Sequence, residues 1–235
     1  PLIQREPELW QQLGDKLLSN EYDARDIPMA QKTSIWLGMG MTEKQGGSDV
    51  RANETIATPV GTAGRGQPYL LTGHKWFFSA PMCDAHLVVA KTEQDGLACF
   101  FVPRWLEDGR KNTIHIQRLK DKVGNRSNSS SEVEFQEAWG IMIGEAGRGI
   151  PTIIEMANYT RLTCVVGSSA MLRQALVQCL VYTRQRKAFG KHLAAQPLMQ
   201  AVLVDLALET EAAMQLSFYL ASCYENDDAL SLAWK

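Results

Sequence analysis

The chain has 235 residues, 45% of them hydrophobic and 21% charged, an ordinary globular balance with room for one large or two modest domains. A formal net charge of −2 provides no overall electrostatic footprint for nucleic acid. Five scattered cysteines without a Cys-x-x-Cys pair argue against a disulfide framework and a zinc site, and for a reducing cytoplasm.

The N-terminal residues, Pro1 to Glu6, lack signal-peptide anatomy. No apolar run approaches a membrane span, the longest clear one being Leu97 to Val102, so no membrane partner is expected. Pro7-Glu-Leu-Trp opens a predicted helix, with proline in the first turn and an acid favouring the N-terminal dipole. Leu9, Leu13 and Leu17 then form one apolar stripe, so 1–34 reads as the helical end of an N-terminal α domain.

From Ile35 to about Gly144 the period is two. Candidate strands are 35–41, 50–58, 69–78, 86–92, 97–102, 113–118, 132–136 and 140–143, separated by turn-rich pieces. Short strands with no helices between them predict an antiparallel barrel or sandwich over 35–148. After Gly147-Arg-Gly149 the period becomes helical, with one long helix to about Arg186. A second begins at Pro197 and runs to about Tyr224, apolar on more than one face. A helix apolar nearly all round needs several neighbours, so 149–235 reads as part of a bundle. The fold class is α+β.

Three stretches carry chemistry. In the first, an apolar strand ends in Met39-Gly-Met41-Thr42-Glu-Lys-Gln-Gly46-Gly47-Ser48-Asp49. Glycines there allow positive φ, so several amides can converge on one electron-rich ligand. Taken alone, Gly46-Gly47-Ser48-Asp49 reads first as a hairpin turn with a Gly-Gly bulge. The second is Gly73-His-Lys-Trp-Phe77-Phe78-Ser79, which by itself also reads as an aromatic barrel strand. The third is Arg184-Gln-Arg186-Lys-Ala-Phe189-Gly-Lys-His-Leu193, between the two long helices. A helix C-terminus stopped by Gly190 explains its charges, but not the phenylalanine and leucine spacing.

Together these stretches resemble the acyl-CoA dehydrogenase family, whose flavin loop is usually Thr-Glu-Pro-x-Ala-Gly-Ser-Asp. Lys44-Gln45-Gly46 in place of Pro-x-Ala, after Gly-Met-Gly-Met, is similar to the AidB-like branch, associated with the response to DNA alkylation. The resemblance implies a small β-barrel middle domain, a helical bundle and FAD as cofactor. It carries Met39, Met41 (backbone), Thr42 (hydroxyl) and Ser48 onto contacts with the flavin, Phe77 with Phe78 onto the ring cover, and Ser79 onto a hydrogen-bond donor. Phenylalanine at 77 replaces the family's tryptophan and loses an indole N–H. Arg186, Phe189 and Leu193 match residues that meet the FAD pyrophosphate and adenosine of a neighbouring subunit, which implies a homo-oligomer, a tetramer in this family. Ser48, Asn158 and Arg161 match the acyl-CoA groove. Thr160 stands where some members place the catalytic base and cannot serve. The usual glutamate lies on a later segment, so no catalytic residue is assigned within 1–235.

Glu43 and Asp49 read as turn-stabilising, and His74 as a surface or core histidine. Arg104, Arg110, Lys111, Arg118, Lys120, Lys122 and Arg126 form a basic cluster interrupted by acids, read as a solvated rim rather than a phosphate site. Gly124-Asn-Arg-Ser-Asn-Ser-Ser-Ser131 is a polar loop without assigned chemistry. Two functions follow: oxidation of an acyl-CoA at Cα–Cβ, or a weakly active flavoprotein whose DNA contact lies outside this chain.

Overall fold

In a computed structural model, Ile3 and residues 6–226 are described; the outermost N-terminal residues and the final Trp234-Lys235 lie outside them. The chain divides into two compact units, one ending at Met156 and the other beginning at Ala157.

The first unit opens with helix α1 (Pro7–Leu17), whose Leu9 and Leu13 are buried as their spacing of four predicts. Seven strands follow: β1 (Leu37–Gly40), β2 (Ile56–Pro59), β3 (Pro68–Phe78), β4 (Ala85–Thr92), β5 (Gly96–Pro103), β6 (Ile114–Leu119) and β7 (Ser131–Ile143). The pairings run β2–β3–β7–β5–β4 and return from β4 to β2 at Lys91 and Ile56, so the sheet closes on itself. Most pairs are antiparallel as expected, but β1 and β2 meet β4 in parallel.

Side-chain alternation builds two cores. Val88 and Ala90 of β4, with Ala98, Phe100 and Val102 of β5, join Tyr69, Leu71, Phe78, Val133 and Phe135 in one cluster. The opposite faces of the same strands, Leu87, Val89, Cys99 and Phe101, pack with Leu9, Leu13, Ile35 and Ile153 in the other. Strands buried on both sides read as continuous apolar runs, which is why 86–92 and 97–102 are the clearest in the sequence.

Three strand expectations change. Positions 50–52 form a 3₁₀ turn, and the strand begins only at Ile56. Asn53 and Thr55 are buried by side-chain bonds to the preceding loop instead of by strand pairing. The two strands expected at 132–136 and 140–143 are one, bulged where Glu137 takes φ +57°. At Gly73, φ is +147° and a Cβ would stand 2.6 Å from Thr55 Cα, so only glycine passes there.

Helix α2 (Gly149–Gln185) starts in the first unit and continues through the second. It is followed by a minimal hairpin, β8 (Lys187–Ala188) and β9 (Lys191–His192), and by α3 (Pro197–Asn226). Within the second unit, buried residues recur at spacing seven: Ser169, Leu176 and Thr183 on α2, Leu203, Thr210 and Ser217 on α3. Most are small, and the hydroxyls of Thr183, Thr210 and Ser217 donate to carbonyls one turn back. The large apolar residues, among them Met171, Leu198, Leu208, Leu216 and Phe218, are exposed. By length and composition α2 is apolar enough to cross a membrane, contrary to the expectation from uninterrupted runs. Its apolar residues are interspersed with Thr, Ser and Gly, so no single run reveals it.

Candidate cofactor site

The first two motifs meet in space. Gly40 of β1 pairs with Phe78 of β3, and the Trp76 N–H donates to the Thr42 carbonyl at 2.8 Å. The loop after β1 turns through Glu43 and Gly46, with φ +116° at Gly46, and returns so that a Cβ on Gly47 would lie 3.1 Å from Thr42 Oγ1. Thr42 is half-buried and Ser48 is exposed. Short donors therefore line an accessible edge beside β3.

On β3 an extra residue intervenes between Lys75, paired with Val133, and Phe78, paired with Ser131. This bulge breaks the alternation. Phe77 becomes 49% exposed and Ser79 is exposed, whereas Phe78 is fully buried. Phe78 was expected at the ligand; its ring instead packs on His86 (centroids 4.1 Å) and Phe135, and its carbonyl accepts from Ser131 Oγ. The side chain is core. Met39 and Met41 are half-buried against the second cluster, and the Met41 carbonyl accepts from Asn53 Nδ2 at 2.7 Å. Of Met41, its backbone N–H is the part left for a ligand.

Glu43 does more than steady a turn. It is fully buried, accepts from Lys75 Nζ at 2.6 Å, and takes the amides of Glu54 (2.5 Å) and Thr55 (3.1 Å). Burial opposes its charge, but Lys75 and the amides hold its pKa below the usual value. Burial also pushes Lys75 down, to about 8, with Glu43 resisting. His74 Nε2 accepts from the Lys44 amide, a structural role.

Lys120, held by Glu132, sits 4.0 Å from the Trp76 ring centroid and 4.5 Å from that of Phe77. Nothing in the sequence links it to Phe77, because only strand pairing brings β6 and β3 to β7. The rest of the basic cluster is dispersed. Arg104 and Lys111 bind Asp26, Arg110 binds Asp108, Arg118 shares Glu132, Arg126 lies by Asp121, and Lys122 donates to the Asn128 carbonyl. The polar loop 124–131 closes around Lys122 and supplies Ser131 to Phe78.

In the second unit, Arg161 donates to Asn158 Oδ1 at 3.1 Å on the exposed side of α2. The Asn158 carbonyl accepts from Tyr224. Arg186 follows α2 directly, and its carbonyl accepts from the Leu193 amide at 2.9 Å. Between them Phe189 and Gly190 form the hairpin turn, with φ +54° and +76°. Gly190 is thus a hairpin residue, not the stop of α2, which ends at Gln185. Phe189 is 98% exposed in a left-handed conformation that a bulky side chain resists.

A cavity of about 860 Å³ between α1 and the faces of β5 and β7 contains none of the motif residues. Among the described residues no His, Cys, Asp or Glu cluster suits a metal. An exposed aromatic face, hydroxyls at its edge and a glycine-lined approach fit a flat, polar-rimmed ring such as a flavin.

The middle-domain model of the acyl-CoA dehydrogenase family matches residues 38–138, and its C-terminal-domain model matches residues 147–233. The chain belongs to the acyl-CoA dehydrogenase family. Within it, 234 residues are 48% identical to AidB of Escherichia coli (strain K12), covering 99% of this chain and 42% of AidB. The structure of Caenorhabditis elegans ACDH-11 in complex with C11-CoA superimposes with a TM-score of 0.74 at 31% identity, over 82% of this chain and 33% of that one. An acyl-CoA dehydrogenase complexed with FAD from Bacillus anthracis shares the fold, with a TM-score of 0.67 at 23% identity over 80% of this chain and 32% of that one. The chain spans less than half the length of each.

Proposed function

We propose that the protein binds FAD and acts on an acyl-CoA thioester. The observation that carries this is the junction of the first two motifs, where Gly40 pairs with Phe78 and the Trp76 N–H donates to the Thr42 carbonyl, with Phe77 and Ser79 exposed at the end of β3. Bound there, FAD supplies an acceptor for the hydride leaving the substrate's β-carbon. Phe77 covers one face of the ring and excludes water from it. The Met41 amide and the Thr42 and Ser79 hydroxyls orient its polar edge, and Ser48 lies beside the substrate. Arg161 and Asn158 serve the acyl-CoA groove.

The hairpin 187–192 holds the remainder of the dinucleotide in a second copy of the chain, with Arg186 at the pyrophosphate and Phe189 and Leu193 at the adenosine. The exposed apolar surfaces of α2 and α3 are assigned to contacts between copies, not to lipid, in a cytoplasmic homotetramer. No group within 1–235 is offered as the base that removes the α-proton; Thr160 is a hydroxyl beside Arg161.

The test uses the full-length protein. Purified protein should be yellow, and an acyl-CoA with an artificial electron acceptor should reduce the acceptor. Colourless protein that takes up no added FAD sinks the cofactor reading; bound FAD without turnover sinks the enzymatic one. The resemblance of Gly38–Met41 and Lys44–Gly46 to the AidB-like branch leaves a second reading, a flavoprotein of the response to DNA alkylation that meets DNA outside 1–235. Turnover absent but duplex DNA bound by the full-length protein selects it.

A further inference from the structure

Glu43 and Lys75 form an ion pair with both side chains fully buried. Desolvating two charges costs about as much as their attraction returns, so stability alone does not account for such a pair. Its location does. Glu43 follows Thr42 directly, and Lys75 stands two residues before Phe77. Through the Glu54 and Thr55 amides the carboxylate also grips the residues just before β2, and Thr55 Oγ1 in turn donates to the His74 carbonyl at 3.0 Å. The loop after β1, the approach to β2 and strand β3 are thus tied at one buried point.

The β3 bulge lies between Lys75 and Phe78. A one-residue slip there would turn Phe77 inward and Phe78 outward. An ammonium anchored inside, immediately before the bulge, fixes which phenylalanine faces out.

We propose that Glu43 and Lys75 are positioning residues for the flavin, setting the spacing between the contacts of the Met41–Thr42 loop and those of Phe77 and Ser79 at the end of β3. This rests on the FAD reading above. The pair touches no ligand itself.

The experiment compares full-length wild type with Glu43→Met/Lys75→Met, which removes both charges and leaves neither unpaired. Phe100→Leu, deep in the barrel core, is a control destabilised elsewhere. FAD affinity and the visible circular dichroism of bound flavin are read well below all three melting temperatures. The expected result is FAD binding at least tenfold weaker in the double variant than in the control, with altered dichroism, whatever the order of their melting temperatures. Equal affinity and unchanged dichroism in the two variants overturn the proposal. If wild type binds no FAD, the reading beneath fails separately. Hydrogen exchange of amides 42–48 then decides: faster exchange in the double variant than in the control sustains the tie, and equal exchange refutes it.

Discussion

Phe77 and Phe78 are chemically identical neighbours with opposite duties, and the bulge between Lys75 and Phe78 assigns them. Phe78→Ala should cost about 3–5 kcal/mol of stability, because it empties a fully packed core position. Phe77→Ala should change stability by less than about 0.5 kcal/mol but weaken FAD binding about tenfold, roughly the worth of one aromatic stack. Thermal melts and flavin titration of the two variants check this; equal melting losses would contradict it. His86 gives a second prediction. Its burial lowers its pKa from 6.5 to about 4, only partly offset by the Ala80 carbonyl beside Nε2, and Nδ1 has no partner. Below pH 6.5 the unfolded chain takes up a proton that the folded one refuses. The stability from this group is therefore complete above about pH 6.5 and is lost as pH falls towards 4, by roughly 2 kcal/mol at pH 5. That window lies above the carboxylate range, so a melting temperature flat between pH 7 and pH 5 would contradict it, and His86→Gln should flatten the dependence.

At the scale of elements, the Phe189-Gly190 turn spends stability on exposure. A primed hairpin turn favours Asn-Gly, and phenylalanine at positive φ costs about 1 kcal/mol. Phe189→Asn should leave the melting temperature unchanged or raise it, while FAD affinity falls, since the aromatic surface offered to the adenosine is gone. An unaltered FAD affinity would remove Phe189 from the site. The helices show a related division. The positions buried at spacing seven are mostly small, whereas the larger apolar side chains of α2 and α3 are exposed.

At the scale of the molecule, that outward apolar surface should be covered by other copies of the chain. Leu208→Glu with Phe218→Glu, both on exposed α3 positions, should shift the full-length protein to smaller species in sedimentation velocity and reduce bound FAD in parallel. Dissociation with full retention of flavin would break the link between assembly and cofactor. DNA affinity belongs to the same scale. With Arg104, Arg110, Lys111, Arg118 and Lys120 each paired to a carboxylate, residues 1–235 should bind duplex DNA no tighter than non-specifically at physiological salt. Submicromolar binding lost on Lys120→Glu with Lys122→Glu would overturn that.

By itself the sequence determined what depends on neighbours along the chain. Period two against period 3.6 separated sheet from helices, with boundaries within a few residues for β3, β4, β5, α2 and α3. The Thr42–Ser48 and Phe77–Ser79 stretches stood out as a candidate site through their resemblance to a family, not through periodicity. What required tertiary structure depends on pairing across tens of residues. The Glu43–Lys75 bond spans 32 positions, and Lys120 reaches Phe77 only because β6 and β3 share β7 as a partner. Which of two adjacent phenylalanines faces outward turned on a single extra residue in β3. A bulge leaves no mark in hydrophobic periodicity, because it is decided by the strand across the ladder.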